Sequence, residues 1–595
     1  MPRFWLLLGS LLAMALGATP ASAQEPAACR NVRMADVGWA DVTATTAVAS
    51  QILAGLGYQP RTTILSVPVT FNSMAAGDID VFLGNWMPMQ DADLKPFRDK
   101  GHVQTVRANL TEARYTLAVP ADLFAAGLTD FSKIHLFADK LGGKIYGIEP
   151  GNDGNRLVLG MIQKNQFGLG KFTLIESSEQ GMLAEVERAV RDKRPIVFLG
   201  WQPHPMNDRF AMRYLSGGDA VFGPNFGGAK VYTTVRRGYL AACPNVGRFL
   251  QNLSFRVSDE NALMEAGLTS GDPEAAARHW LAAHPDRLAA WLKDVSTVDG
   301  QPGLAAVSAR LGETGTTNFI TAHKIPVGAW MADIVETIKG QGQIFALVTL
   351  VVGSAVNGLT ALLNAVPPVL GALLIAVLAY VLRRSIPLAL FVALALLFII
   401  NQGYWAATME TLSLVVFAAL ASTIIGVPIG IWAGHRPRAF SWMRPVLDLM
   451  QTLPTFVYLI PTLVLFGLGV VPGLISTVIF ALPAPIRLTQ LGIMNVPRPL
   501  IEAGESFGAT RWQLLTKIEL PAASGSILAG VTQCIMLSLS MVVIAALVGA
   551  GGLGVPVVRA LNTVQVGMGF EAGFAIVLLA IILDRMTRNE PAGAA

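Results

Sequence analysis

At 595 residues the chain is too long for one compact unit, since domains run to roughly 150 residues each. Hydrophobic residues make up 53% and charged residues 14%, against about 25% charged in ordinary soluble domains, so a wholly soluble enzyme is excluded and part of the chain belongs in lipid. The net charge of +4 with no basic tract excludes nucleic acid as a partner, and three cysteines without CxxC or HExxH spacing offer no ligand set for a metal or cofactor.

Residues 1–23 read as a secretory signal: Arg3, an apolar run from Phe4, and the small residues Ala21, Ser22 and Ala23 before the expected cut. From 24 to 295, short β-rich runs (VRMADV, TTILSV, DVFLG, KIYGI, PIVFLGW) alternate with helical patterns such as SEQGMLAEVERAVRD. This is an α/β domain long enough for two lobes. Residues 296–324 are rich in Gly, Thr and Ser without an apolar period, and the linker is taken to extend to 343.

Beyond Lys339 there is no charge until Arg383, and apolar runs recur to Leu583, so residues 344–588 form an all-α transmembrane domain in the bilayer. The expected spans are Leu363–Leu382, Ile386–Gln402, Thr411–Gly434, Pro454–Val470, Val471–Leu488, Ile527–Ala550 and Glu571–Leu583. Arg383, Arg384, Arg436, Arg438, Arg444, Arg487, Arg498, Arg511, Lys517, Arg585 and Arg588 mark their cytoplasmic ends. Seven spans reconcile an exported N-terminal domain with an inside C-terminus. That leaves Ile344–Leu362 as a helix lying in the outer leaflet, broken at Gly353, Asn357 and Gly358. Residues 589–595 are a tail.

In the exported domain, Trp39 and Asp41 (VGWADVTATTA), Trp86 (VFLGNWMPMQ) and Trp201 (PIVFLGWQPHP) each follow a strand-like run, where α/β sheets build ligand sites. Three tryptophans in equivalent places, each beside Pro, Gly or Asp, point to a shared aromatic site, and such a cage suits a quaternary ammonium ion. These segments resemble those of periplasmic binding proteins for choline and glycine betaine, over most of residues 29–295. The resemblance implies a two-lobed type II periplasmic binding fold closing over its ligand. It implies a cage of Trp39, Trp86, Tyr115 (EARYTLAVP) and Trp201, with Asn152 (EPGNDGNR) on the ligand hydroxyl and Asp41 near the ammonium head.

On physical grounds Asp41 favours a net cation such as choline over a zwitterion such as glycine betaine, whose own carboxylate it would repel. Its bland alternative is as the N-cap of a helix starting near Thr43. His204 in WQPHP reads as a structural hydrogen-bonder. Cys29 and Cys243, alone in the exported domain, are expected to pair in an oxidising periplasm, whereas Cys534 sits in an apolar span.

The segment 502–521, EAGESFGATRWQLLTKIELP, is too polar to span. It is similar to the coupling motif of importer permeases of the ATP-binding-cassette class, at Glu502, Ala503, Gly508, Ile518, Leu520 and Pro521, with Gly504 where that motif has Ala. The physical reading is a short helix, a bend at Gly508 and a second helix ended by Pro521, together a knob that docks on a nucleotide-binding partner. The stretches IPVGAW, DLMQTLPTFVYLIPTLVLFGLG and LSMVVIAALVGAGGLG extend the likeness to a glycine betaine/proline-type permease. No GxxxxGK[ST] occurs, so ATP hydrolysis falls to a separate cytoplasmic subunit.

The expectation is thus a receptor fused to its permease in a bacterial inner membrane. It would serve a quaternary ammonium importer, choline first and glycine betaine or proline betaine second, and work as a homodimer with separate ATP-binding subunits. A ligand sensor that does not transport is the competitor from another class, and no nucleophile, base and orienter grouping supports an enzyme.

Overall fold

The computed structural model describes residues 25–312, 325, 327–339 and 342–587. The expected signal (1–23) and tail (589–595) lie outside them. The chain forms two units. The first comprises Met1–Leu117, Thr129–Phe131 and Gly200–Lys324, and the second Ala118–Leu128, Ser132–Leu199 and Ile325–Ala595.

The first unit is built on strands β1 (Asn31–Asp36), β2 (Gln59–Ile64), β3 (Val81–Met87), β4 (Val103–Pro120) and, after the chain returns, β8 (Met212–Tyr214) and β9 (Gly228–Arg236). β1 pairs in parallel with β2 and β3, as the βαβ alternation predicts, while β9 lies antiparallel to β3 and β4. Strands β5 (Lys144–Tyr146) and β6 (Thr173–Ile175) pair in parallel in the second unit. The chain passes between units inside β4 and inside β7 (Phe198–Gln202).

Helix Ala40–Gly55 is buried along most of its length, including Thr45, Thr46 and Ser50, and it owes this to small side chains that let neighbours approach closely. A Cβ on Gly55 would sit 2.9 Å from Val307, a wholly buried residue of helix Gly303–Gly312. That part of the expected linker is therefore packed structure. Its apolar positions, too few to show a period in sequence, find a partner in a distant helix. Cys29 and Cys243, 214 residues apart, form the expected disulfide.

Asp80 ties three strands of this unit together. Its carboxylate accepts Arg33 Nε at 2.9 Å, Arg33 Nη2 at 2.8 Å and Arg236 Nε at 2.6 Å, and the side chain is 2% exposed. Burial alone would raise the Asp80 carboxyl, but hydrogen bonds from Arg33 and Arg236 outweigh it and hold the group below its usual range. A depressed folded-state value contributes stability above the unfolded pKa of about 3.9, and that stability is lost as pH falls through the folded value. Asp80→Asn is expected to cost about 1–2 kcal/mol at pH 7, because Arg33 and Arg236 lose a charged acceptor while their own side chains stay about a third exposed to water. Thermal melts of both forms from pH 7 downward check this, and the gap between them should close below roughly pH 4.

Among the described residues of the second unit five helical stretches are long and apolar enough to cross a membrane: Gly342–Ala365, Trp405–Gly434, Val470–Met494, Arg511–Val548 and Val566–Thr587. The bent pair Pro437–Thr452 and Thr455–Phe466, at 91°, makes a sixth if counted as one span. This corrects the expectation of seven. Pro368–Arg383 and Ile386–Asn401 have 16 residues each, about 24 Å of helix against roughly 30 Å of hydrocarbon. The stretch Ile344–Leu362, expected to be broken and interfacial, is instead the body of a continuous 24-residue helix. A helical glycine costs only about 1 kcal/mol. That is too little to interrupt a helix in lipid, where every backbone group needs a partner.

The long helix Trp405–Gly434 packs through a glycine stripe. Cβ atoms at Gly426, Gly430 and Gly434 would lie 2.8, 2.6 and 2.8 Å from Pro485, Thr489 and Ile493 of helix Pro483–Met494. Small residues at this four-residue spacing bring two membrane helices into close contact without polar bonds. The proline-rich stretch around Leu453 and Pro454 is broken, as its composition predicts.

Candidate functional site

Asp36 closes β1 and organises the turn beyond it. Its Oδ1 accepts the Gly38 N–H at 2.8 Å and its Oδ2 accepts the Thr43 hydroxyl at 2.8 Å, so the chain turns through Gly38 (φ +77°) into the helix. Trp39 takes the N-cap position and is 8% exposed. The helix begins at Ala40, so Asp41 is its second residue and does not cap it. The Asp41 side chain turns to the core instead. Its Oδ2 accepts the indole N–H of Trp86 at 3.0 Å, in surroundings where Asp41 is 3% exposed. The helix-cap alternative for Asp41 is set aside.

The remaining rings gather around Trp86. Tyr115 on β4 stands 6.2 Å from Trp86 and 6.1 Å from Trp201, both edge-on, with Phe222 at 6.3 Å. Trp86 and Trp201 lie within the last two residues of β3 and β7, one residue earlier than the strand-end reading placed them, and each precedes by two residues a proline in cis. His204 packs on Trp201 with ring centroids 5.0 Å apart, and its Nδ1 accepts the Met206 N–H at 3.0 Å, the structural role expected for it. The cluster thus joins three aromatic rings to one acidic side chain through Trp86, residue types that suit a cation unable to donate hydrogen bonds.

Two contributors escape sequence reasoning. Phe222 lies in a short helical turn with no strand leading straight into it, so no pattern marks it as a cage neighbour. Glu260, on helix Val257–Ser270, is buried. Burial first, then the charges of Asp41 and Asp259, push its carboxyl well above the usual range.

Asn152 belongs to the second unit. Its Oδ1 accepts from Gly154 N at 2.8 Å and Asn155 N at 3.3 Å, capping helix Asp153–Gln163, and its Nδ2 donates to Glu149 at 3.1 Å. The side chain expected on a ligand hydroxyl thus first fixes the start of a helix.

The coupling segment has the expected knob with one correction. Glu502 and Ala503 lie on helix Arg498–Ser506, and the chain reverses at Gly508, whose φ of +74° few other residues adopt at low cost. A Thr510–Gln513 capping box then starts the next helix. Pro521 does not end that helix. The path continues through a π turn, Leu515–Glu519, into Leu520–Ala545. The extra residue in the π turn relieves the clash between the proline ring and the preceding turn, so Ile518, Leu520 and Pro521 sit within one continuous rod. Gly504, the departure from Ala, has a packing reason, since a Cβ there would meet Ile518 at 2.5 Å and Leu514 at 2.7 Å. Beside the turn, Phe507 and Trp512 are 92% and 71% exposed, two large apolar side chains presented next to the reversal.

Comparison with known proteins accounts for both halves. Residues 30–283 match the model for the substrate binding domain of ABC-type glycine betaine transport systems, and residues 426–589 that for the binding-protein-dependent transport system inner membrane component. The glycine betaine transport system permease protein OpuAB of Bacillus subtilis is 50% identical over 235 residues, 39% of this chain and 83% of that protein. The glycine betaine/carnitine transport permease protein GbuB of Listeria monocytogenes is 43% identical over 267 residues, 44% of this chain and 95% of that protein. A solved ABC-transporter choline binding protein in complex with choline is 56% identical, with a TM-score of 0.48, and covers 48% of this chain and 100% of its own. The chain belongs to the ABC-type glycine betaine transport family, as a substrate-binding domain and an inner membrane permease component joined in one polypeptide.

Proposed function

We propose that the preferred ligand is choline, and that residues 24–295 capture it outside the membrane for translocation by residues 344–588. The observation that carries this reading is the buried Asp41 carboxylate held by Trp86 within the ring cluster. It offsets the charge of a net cation and repels the carboxylate of a betaine. Trp39, Trp86, Tyr115 and Trp201 wrap the trimethylammonium head, each ring contributing about 0.5–2 kcal/mol. Asn152 meets the hydroxyl while capping its helix. A second reading, import of glycine betaine or proline betaine for osmoprotection, draws support from the names its relatives carry.

A separate ATP-binding subunit docks on the knob at Glu502–Pro521, with Phe507 and Trp512 as apolar anchors. A homodimer carrying two binding domains supplies a full set of spans. The Cys29–Cys243 bridge supports an oxidising compartment, the periplasm, for the binding domain and hence an inner-membrane location. Fusion keeps the receptor at an effective concentration of roughly millimolar at its permease. Uptake of labelled choline by cells expressing the chain with its ATP-binding subunit tests the reading. Accumulation that stops with Trp86→Ala supports the importer. Binding without accumulation would favour a sensor.

A further inference from the structure

Helix Trp405–Gly434 has 30 residues and a single charged side chain, Glu410. Glu410 is the sixth residue, about 8 Å along the axis from the helix start, while the far end leads to Arg436 and Arg438, residues of the kind that mark a cytoplasmic side. The carboxylate therefore sits near the outer end of a span. Acidic groups at membrane depth are costly to keep and line routes for polar or charged cargo.

Among the described residues no basic side chain pairs with Glu410, which is half-buried between the buried Met409 and Thr411. Its carboxylate accepts the backbone N–H of Gly552. The glycine-rich loop 549–553 folds against this stretch: Leu553 N donates to the Thr411 hydroxyl at 2.9 Å, and a Cβ on Gly551 would run into the Glu410 carboxylate. One turn further in, Leu414 packs with Ala545 and Ala550, all three buried, and with Val470, so three helices and the loop meet in an apolar layer. Helix Gly554–Thr563 leaves the same loop and reaches the segment that carries Asn152, where Asn562 Nδ2 donates to the Pro150 carbonyl at 2.8 Å. The loop on Glu410 thus leads directly to the binding domain.

We propose that Glu410 is a second binding residue for the quaternary ammonium cation, at the outer mouth of the permease above the apolar layer of Leu414, Ala545 and Ala550. A cation that cannot donate hydrogen bonds loses water on entering this mouth and regains only what charge and ring faces supply, so an acidic group without a basic partner stabilises it there. The apolar layer beneath offers it nothing comparable and holds it at Glu410 until the helices part. The inference rests on the choline reading, which supplies the net positive charge.

The test uses the full-length chain reconstituted with its ATP-binding subunit in lipid vesicles, as wild type, Glu410→Gln and Glu410→Asp, with uptake of labelled choline normalised to assembled complex. Glu410→Gln keeps the shape and an oxygen for the Gly552 N–H and loses only the charge. Its maximal uptake is expected to fall about tenfold or more, while Glu410→Asp stays within about threefold of wild type. Wild-type rates in Glu410→Gln, or equal losses in Glu410→Gln and Glu410→Asp, would overturn the site and leave the choline reading intact. If wild type carries glycine betaine and not choline, the choline reading falls and the same comparison with betaine decides the site: a loss of about tenfold confined to Glu410→Gln keeps Glu410 on the ammonium head, and unchanged uptake removes it. Wild-type vesicles that carry neither compound would sink both.

Discussion

Asp41→Asn in the full chain is expected to lower choline affinity about 10- to 100-fold, about 1.4–2.8 kcal/mol, and to leave glycine betaine affinity unchanged or improved. The substitution keeps an oxygen for the Trp86 indole, which Asp41 Oδ2 holds at 3.0 Å, so the rings keep their places and only the charge is lost. Isothermal titration of both ligands against both proteins checks the expectation. Parallel losses for choline and betaine would mean that Asp41 shapes the site without selecting by charge.

The second large effect is expected at the coupling knob. Phe507→Ala and Trp512→Ala should each weaken capture of the ATP-binding subunit roughly thirtyfold, corresponding to about 2 kcal/mol for a desolvated aromatic anchor. Both side chains are largely exposed, so the substitutions remove little from the fold itself. Co-purification of the two subunits measures the loss, with choline affinity as the control that should stay unchanged. Retention of the ATP-binding subunit by the double variant would place the dock elsewhere.

The features legible in the sequence were those that short-range chemistry marks. Trp39, Asp41, Trp86 and Trp201 stand at strand ends, and the Glu502–Pro521 segment carries fixed spacing, so neighbouring residues alone point to both sites. The disulfide followed from there being two cysteines in the exported part. The features that stayed hidden depend on distant neighbours. Phe222 joins the cage only because β4 brings Tyr115 to it, and Val307 gives its helix a place in the core by meeting Gly55.

Membrane composition misled in one direction. Gly353, Asn357 and Gly358 look like breaks, yet the bilayer's demand for backbone hydrogen bonds carries the helix through them. Pro521 misled likewise, because a π turn, invisible to local propensity, absorbs its ring. Gly504 shows the reverse case, a small residue that weakens its helix in isolation and lets the side-chain ends of Ile518 and Leu514 pack close against it. At Asn152 the sequence pointed to a ligand contact, and the structure adds a helix cap.

The most direct measurement is a pair of titrations of the wild-type full-length chain with choline and with glycine betaine under the same conditions. The buried Asp41 within the aromatic cluster predicts choline binding at least tenfold tighter than betaine. Betaine binding as tight as choline or tighter would contradict the assignment of a cation-selective site.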